Sequence, residues 1–146
     1  MSILSTDKVK LNANVKDKHE AIRMAGQLLV DAGHAEPSYI ESMIERENSL
    51  STYMGGGLAI PHGTSESKGT IKSTGLSIVQ LPQGVDFGEG NVAHLVIGIA
   101  AVGDDHLDIL TNVAMVCSDD DSLERILKAS TPEEMIEIFK SGMEEQ

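Results

Sequence analysis

Apolar residues recur every three or four positions between Asp17 and Gly33, at Ala21, Ile22, Ala25, Leu28, Leu29 and Ala32, which is the spacing of one helix face. Asp17 and Glu20 stand three apart at its start as a capping box, and Gly33 supplies the stop. The next stretch, "EPSYIESMIEREN", repeats the pattern. Pro37 falls in its first turn, Ile40, Met43 and Ile44 share a face, and the helix ends near Asn48. Arg46 lies on the flank of that helix, next to Met43.

The period then changes. Leu58 to Ile60 reads as a short strand, and "HGTSESKGTIKSTG" as a polar loop running over a surface. "LSIVQL" and "AHLVIGIAA" read as two further strands, the second so continuously apolar that both of its faces must be covered. Helical spacing returns in the last third, as three stripes. The first is Leu107, Ile109, Leu110, Val113, Ala114 and Cys117; the second Leu123, Ile126 and Leu127; the third Met135, Ile138 and Phe139. Thr131, Pro132 and Glu134 open the last helix, and Gly142 is expected to end it. This order predicts a three-layer α/β/α domain, a small mixed sheet flanked by helices, with one domain covering residues 1–146.

Composition narrows the function classes. With 40% hydrophobic and 23% charged residues the chain has the balance of a folded globular domain. A formal net charge of −12 argues against binding nucleic acid or an anionic membrane, and favours a partner with a basic face if it serves more than solubility. Cys117 is the only cysteine, which excludes an intramolecular disulfide and a cysteine zinc cluster and fits a reducing compartment. No window is apolar for long enough to span a bilayer, and the opening "MSILSTDKVKLNANVKD" lacks a basic segment followed by a long apolar one. The chain reads as cytoplasmic, without direct membrane insertion.

The five histidines carry the candidate chemistry, because imidazole alone changes protonation state near neutral pH. His19 and His34 read as solvated surface residues, and His94 as a structural residue at the end of a strand. His62 differs. Pro61 fixes the backbone before it, Gly63 permits a sharp departure after it, and a strand end precedes both, so the ring is either presented at the rim of the sheet or is a turn residue. His106 falls in the first turn of a helix that Asp104 or Asp105 can cap, where free N–H groups suit an anion. It is either a phosphate neighbour or a tolerated first-turn residue. Arg46 offers a planar guanidinium for phosphate oxygens or is simply solvated, and spacing does not say whether it meets His62. Neither glycine-rich stretch supplies a P-loop or a G-x-G-x-x-G turn, so ATP and NAD sites are unsupported and no cofactor is expected.

Four segments taken in order change the picture. "LAIPHG", within "STYMGGGLAIPHGT", resembles the phosphorylation site of the enzyme IIA components of the bacterial sugar phosphotransferase system, in the mannitol/fructose class. "HEAIRMAGQLLVDAGHAEPSYIESMIEREN", "VQLPQGVDFG" and "AHLVIGIAAVGDDHLDIL" resemble further segments of the mannitol-type members, so the likeness covers nearly the whole chain. The resemblance implies that His62 accepts a phosphoryl group from the phosphocarrier HPr and passes it to a cysteine of the mannitol transporter's IIB domain. It also implies that His106 and Arg46 neutralise and orient that group, with no metal required. One departure is Gly56, where the pattern often carries an acidic or polar residue; three consecutive glycines are expected to loosen the loop before His62. Two other classes remain open: a phosphorylation-dependent regulatory module that feeds no transport, and a metal-dependent hydrolase built on His62, His106 and Asp108.

Overall fold

The computed structural model describes residues 3–102 and 105–144, and the side chains among them other than those of residues 65, 68, 105–107, 143 and 144. Its elements in chain order are β1 (Val9–Lys10), α1 (Lys18–Asp31), α2 (Tyr39–Ser49), β2 (Tyr53–Gly55), β3 (Leu58–Ala59), β4 (Gly75–Asp86), β5 (Val92–Ala100), α3 (Asp105–Ser118), α4 (Asp120–Lys128) and α5 (Pro132–Glu144). The strands form one sheet in the order β1-β4-β5-β3-β2. β1 runs parallel to β4 and β3 parallel to β5, while β4 with β5 and β2 with β3 are antiparallel. The expected three-layer α/β architecture with a mixed sheet is what forms.

The alternation along β5 divides the core. Leu95, Ile97 and Ile99 point into one apolar cluster with Val113, Val116, Ile126, Met135 and Phe139 of α3, α4 and α5. Val96 and Ala100 point into the other, with Ala21, Ile22, Ala25 and Leu29 of α1 and Tyr39 and Met43 of α2. From Leu95 to Ala100 both faces of β5 are buried, leaving no polar face, which is why that stretch reads as an apolar run.

Local chemistry sets the helix ends. Asp17 accepts the Glu20 amide at 2.8 Å, and Glu20 reaches back to the Lys16 amide at 2.7 Å. Thr131 and Glu134 repeat the arrangement at α5, with Thr131 Oγ1 on the Glu134 amide and Glu134 on the Ser130 amide. Gly142 does not stop α5, which continues to Glu144. A Cβ at Gly142 would come within 2.6 Å of Val116, so this glycine is there to let α5 pack closely on α3. Likewise "LSIVQL" is only the first half of β4. An irregularity between Gln80 and Val85 absorbs Pro82 and lets pairing with β5 resume at Val85 opposite Ala93.

His34 is the clearest departure from expectation. It is fully buried, not solvated. Lys8, itself 1% exposed, brings its Nζ to 2.6 Å from His34 Nε2 and donates to the Ile3 carbonyl at 2.7 Å, while His34 Nδ1 meets Ser73 Oγ at 2.9 Å. Burial pushes the Lys8 pKa down to about 8. His19 lies at the surface, 3.1 Å from Asn48 Oδ1, and His94 is held at the start of β5 by the Leu81 carbonyl, both as expected.

Candidate functional site

His62 follows directly from the end of β3. Ile99 of β5 donates its amide to Pro61 O at 3.0 Å, and an isolated parallel bridge pairs His62 with Ile99, so the segment 58–62 is an extension of β3 along β5. The ring is half-buried, with Nδ1 2.8 Å from the carbonyl oxygen of Ile60. A carbonyl can only accept, so in the neutral ring Nδ1 carries the proton and the lone pair belongs to Nε2.

Gly63 is a glycine for want of room. Its φ lies outside the left-handed region, against the expectation that it permits a sharp turn. A Cβ there would come within 2.5 Å of both Ser67 Oγ and the Tyr39 ring. The left-handed residues are instead Gly55, Gly56 and Gly57, with φ of 101°, 61° and 87°, which form the β2–β3 hairpin turn at the far end of β3. Gly57 is pinned there, its carbonyl accepting the amides of His94 and Leu95 at 2.8 and 3.0 Å.

Two buried polar groups on α2, absent from the sequence expectations, reach this segment. Tyr39 is 2% exposed; its hydroxyl donates to Ile99 O at 2.7 Å and accepts the Gly63 amide at 2.9 Å. Burial pushes its pKa up to about 12, so the hydroxyl stays protonated. Glu47 is equally buried and takes both the amide and the hydroxyl of Thr52, at 2.8 and 2.6 Å, with Lys18 at 3.4 Å. Burial alone would raise the Glu47 pKa, and the hydrogen bonds from Thr52 and Ser51 with the Lys18 charge outweigh it and leave it lowered. Thr52 O in turn accepts the Ile60 amide at 3.0 Å. The signal was present in the spacing, since Tyr39, Met43 and Glu47 fall at intervals of four on one helix face and two of the three are polar.

Arg46 sits in the last turn of α2, half-buried, and donates to the Leu50 carbonyl. Beyond the Tyr53–Ala59 pair the Ile60 amide still reaches Thr52 O, so the residues just before β2 run beside the segment that leads into His62. The topology therefore carries Arg46 to the same end of the sheet as His62. His106 belongs to the first turn of α3, which begins five residues after β5 ends; its side chain, like the capping role expected of Asp104 and Asp105, lies outside the described residues. Leu50 (68% exposed) and Val102 (39% exposed) place apolar surface at this end. Cys117 is no competing nucleophile, because burial pushes its thiol up to about 12.

The comparisons with known proteins converge on one system. The family model described as "Phosphoenolpyruvate-dependent sugar phosphotransferase system, EIIA 2" matches residues 2–142. The chain belongs to this family. As an EIIA 2 member it is a phosphotransferase component of that system and a phosphocarrier. It is 51% identical over 139 residues to the mannitol-specific phosphotransferase enzyme IIA component of Geobacillus stearothermophilus, covering 95% of this chain and 96% of that one. The protein of the same name from Bacillus subtilis is 48% identical over 139 residues, covering 95% and 97%. Among solved structures it resembles the complex of enzyme IIAMTL and phosphorylated enzyme IIBMTL from Escherichia coli, with a TM-score of 0.89, 36% identity and coverage of 94% and 97%. Among the described residues no helix is long and apolar enough to cross a membrane, and no three His, Cys, Asp or Glu side chains gather as a metal site would require.

Proposed function

We propose that His62 is the phosphoryl-accepting residue of a mannitol-specific IIA component, charged by phospho-HPr and discharged onto a IIB cysteine in the cytoplasm. The observation that carries this is the Nδ1 contact with Ile60 O, which leaves the lone pair on Nε2 of a half-buried ring at the end of β3. The Nε2 lone pair attacks phosphorus, the P–N bond of phospho-HPr breaks, and the HPr imidazole leaves with that electron pair. In the second step a cysteine thiolate attacks phosphorus and Nε2 is the leaving group. The ring keeps its Nδ1 proton through both steps, so no general base is called for.

The phosphoryl group in flight carries its charge on the non-bridging oxygens, and catalysis consists of alignment plus donors. Arg46 supplies a guanidinium and His106 a ring N–H for that charge. The exposed Leu50 and Val102 give two successive protein partners apolar ground to dock on, consistent with brief encounters. The net charge of −12 favours a donor with a basic face. Mannitol specificity draws on the relatives' names, and IIB as acceptor on the E. coli complex.

The deciding experiment loads the protein from phosphoenolpyruvate, enzyme I and HPr, then offers purified IIB domains of mannitol and fructose transporters. Rapid discharge onto the mannitol IIB alone is the expected result. Discharge onto the fructose IIB alone would reassign the sugar, and discharge onto neither would make the phosphorylated protein a regulatory partner.

A further inference from the structure

The chain has two tyrosines, and both make the same unusual pair of contacts. Tyr39 accepts the Gly63 amide and donates to Ile99 O. Tyr53 accepts the Gly57 amide at 3.1 Å and donates to Val92 O at 3.2 Å. The segment from Gly57 to Gly63, which contains β3 and His62, is thus slung from β5 by a phenol at each end. The two slings are not equivalent. Tyr53 acts five residues before His62, roughly 16 Å away along an extended chain. Tyr39 acts on the peptide immediately after His62, and through Ile99 on the residue that pairs with His62.

We propose that Tyr39 is a positioning residue for phosphoryl transfer, its hydroxyl fixing the peptide on the C-terminal side of His62 and so the direction in which Nε2 points; this rests on His62 being the nucleophile. Three observations converge on it. The hydroxyl is buried and makes one bond to each side of the site. Gly63 has no Cβ, and the space a Cβ would fill belongs to the Tyr39 ring. The same face of α2 also holds the strand on the other side, through Glu47, Thr52 and the Ile60 amide, and it is Ile60 O that fixes the Nδ1 proton. Transfer in line needs the attacking nitrogen held against the donor phosphorus, and a displacement of about 1 Å costs on the order of a hundredfold in rate.

The test compares Tyr39→Phe with Tyr53→Phe, each of which deletes one hydroxyl and two hydrogen bonds. Single-turnover transfer from phospho-HPr is followed across a range of donor concentrations, alongside urea midpoints and the 15N signals of the His62 ring. The expected result is that Tyr39→Phe slows the transfer step about tenfold to a hundredfold with an unchanged KM and shifted ring signals, while Tyr53→Phe loses stability but keeps the wild-type rate. Equal rates in both variants, or a loss in Tyr39→Phe that tracks stability alone, would overturn the proposal while leaving His62 as the nucleophile. Failure of the wild type to accept phosphate would instead remove the reading beneath it. Should Tyr39→Phe not fold, amide exchange in the wild type decides: strong protection of Gly63 is required, and exchange as fast as in an open loop refutes the sling.

Discussion

The Nδ1 of His62 lies 2.8 Å from the carbonyl oxygen of Ile60, two residues back along the same strand. A histidine that returns to its own backbone in this way has its Nδ1 committed as the donor by the strand itself. The phosphoryl group should therefore reside on Nε2. In the phosphorylated protein, phosphorus–nitrogen coupling seen at the ε2 and not the δ1 nitrogen is the expected signature, and coupling at δ1 would mean that the Ile60 contact breaks on charging.

Arg46 is expected to act through its planar fork and not through charge alone. The guanidinium donates to Leu50 O, which fixes its orientation at the His62 end of the sheet. Arg46→Ala should slow transfer from phospho-HPr by about a hundredfold, the usual cost of one donor to transferred charge. Arg46→Lys should recover only part of that loss in the same single-turnover assay.

Stability should fall on mild acidification because of the pair of His34 and Lys8. Burial first, and the Lys8 ammonium second, hold the His34 pKa below its usual 6.5. Between the two values the unfolded chain binds a proton that the folded chain refuses, so this contribution is complete above the unfolded pKa and declines as pH drops through it. Urea midpoints measured from about pH 7.5 down to about pH 5.5 should fall in the wild type and fall less in His34→Gln. Parallel curves would clear the pair of responsibility.

How much of this was legible beforehand depended on whether the cause was local. The helices announced themselves because Asp17 with Glu20, and Thr131 with Glu134, carry their own caps. β1 and β2 have two and three residues, too few to show a period, and exist because Val9 finds Ile78 and Tyr53 finds Ala59. His34 was misread because its partner, Lys8, lies 26 residues earlier and turns two polar side chains inward together. At the site, proline and glycine marked His62. The reason for Gly63 was hidden, since the ring that excludes a Cβ comes from α2 and the carbonyl that anchors that ring lies 60 residues further on.

Gly63→Ala should expose that dependence directly. The added methyl collides with the Tyr39 ring and Ser67 Oγ. Overpacking of this kind costs about 1–3 kcal/mol, readable as a lowered urea midpoint. A variant as stable as the wild type would mean that Tyr39 moves aside at no cost.

Intact-mass analysis of the wild type and His62→Gln, incubated with enzyme I, HPr and phosphoenolpyruvate, puts His62 as the phosphoryl acceptor to the test. A single phosphoryl adduct is expected on the wild type and none on the variant, with both proteins folded. An adduct that persists on His62→Gln, or none on the wild type, would contradict it.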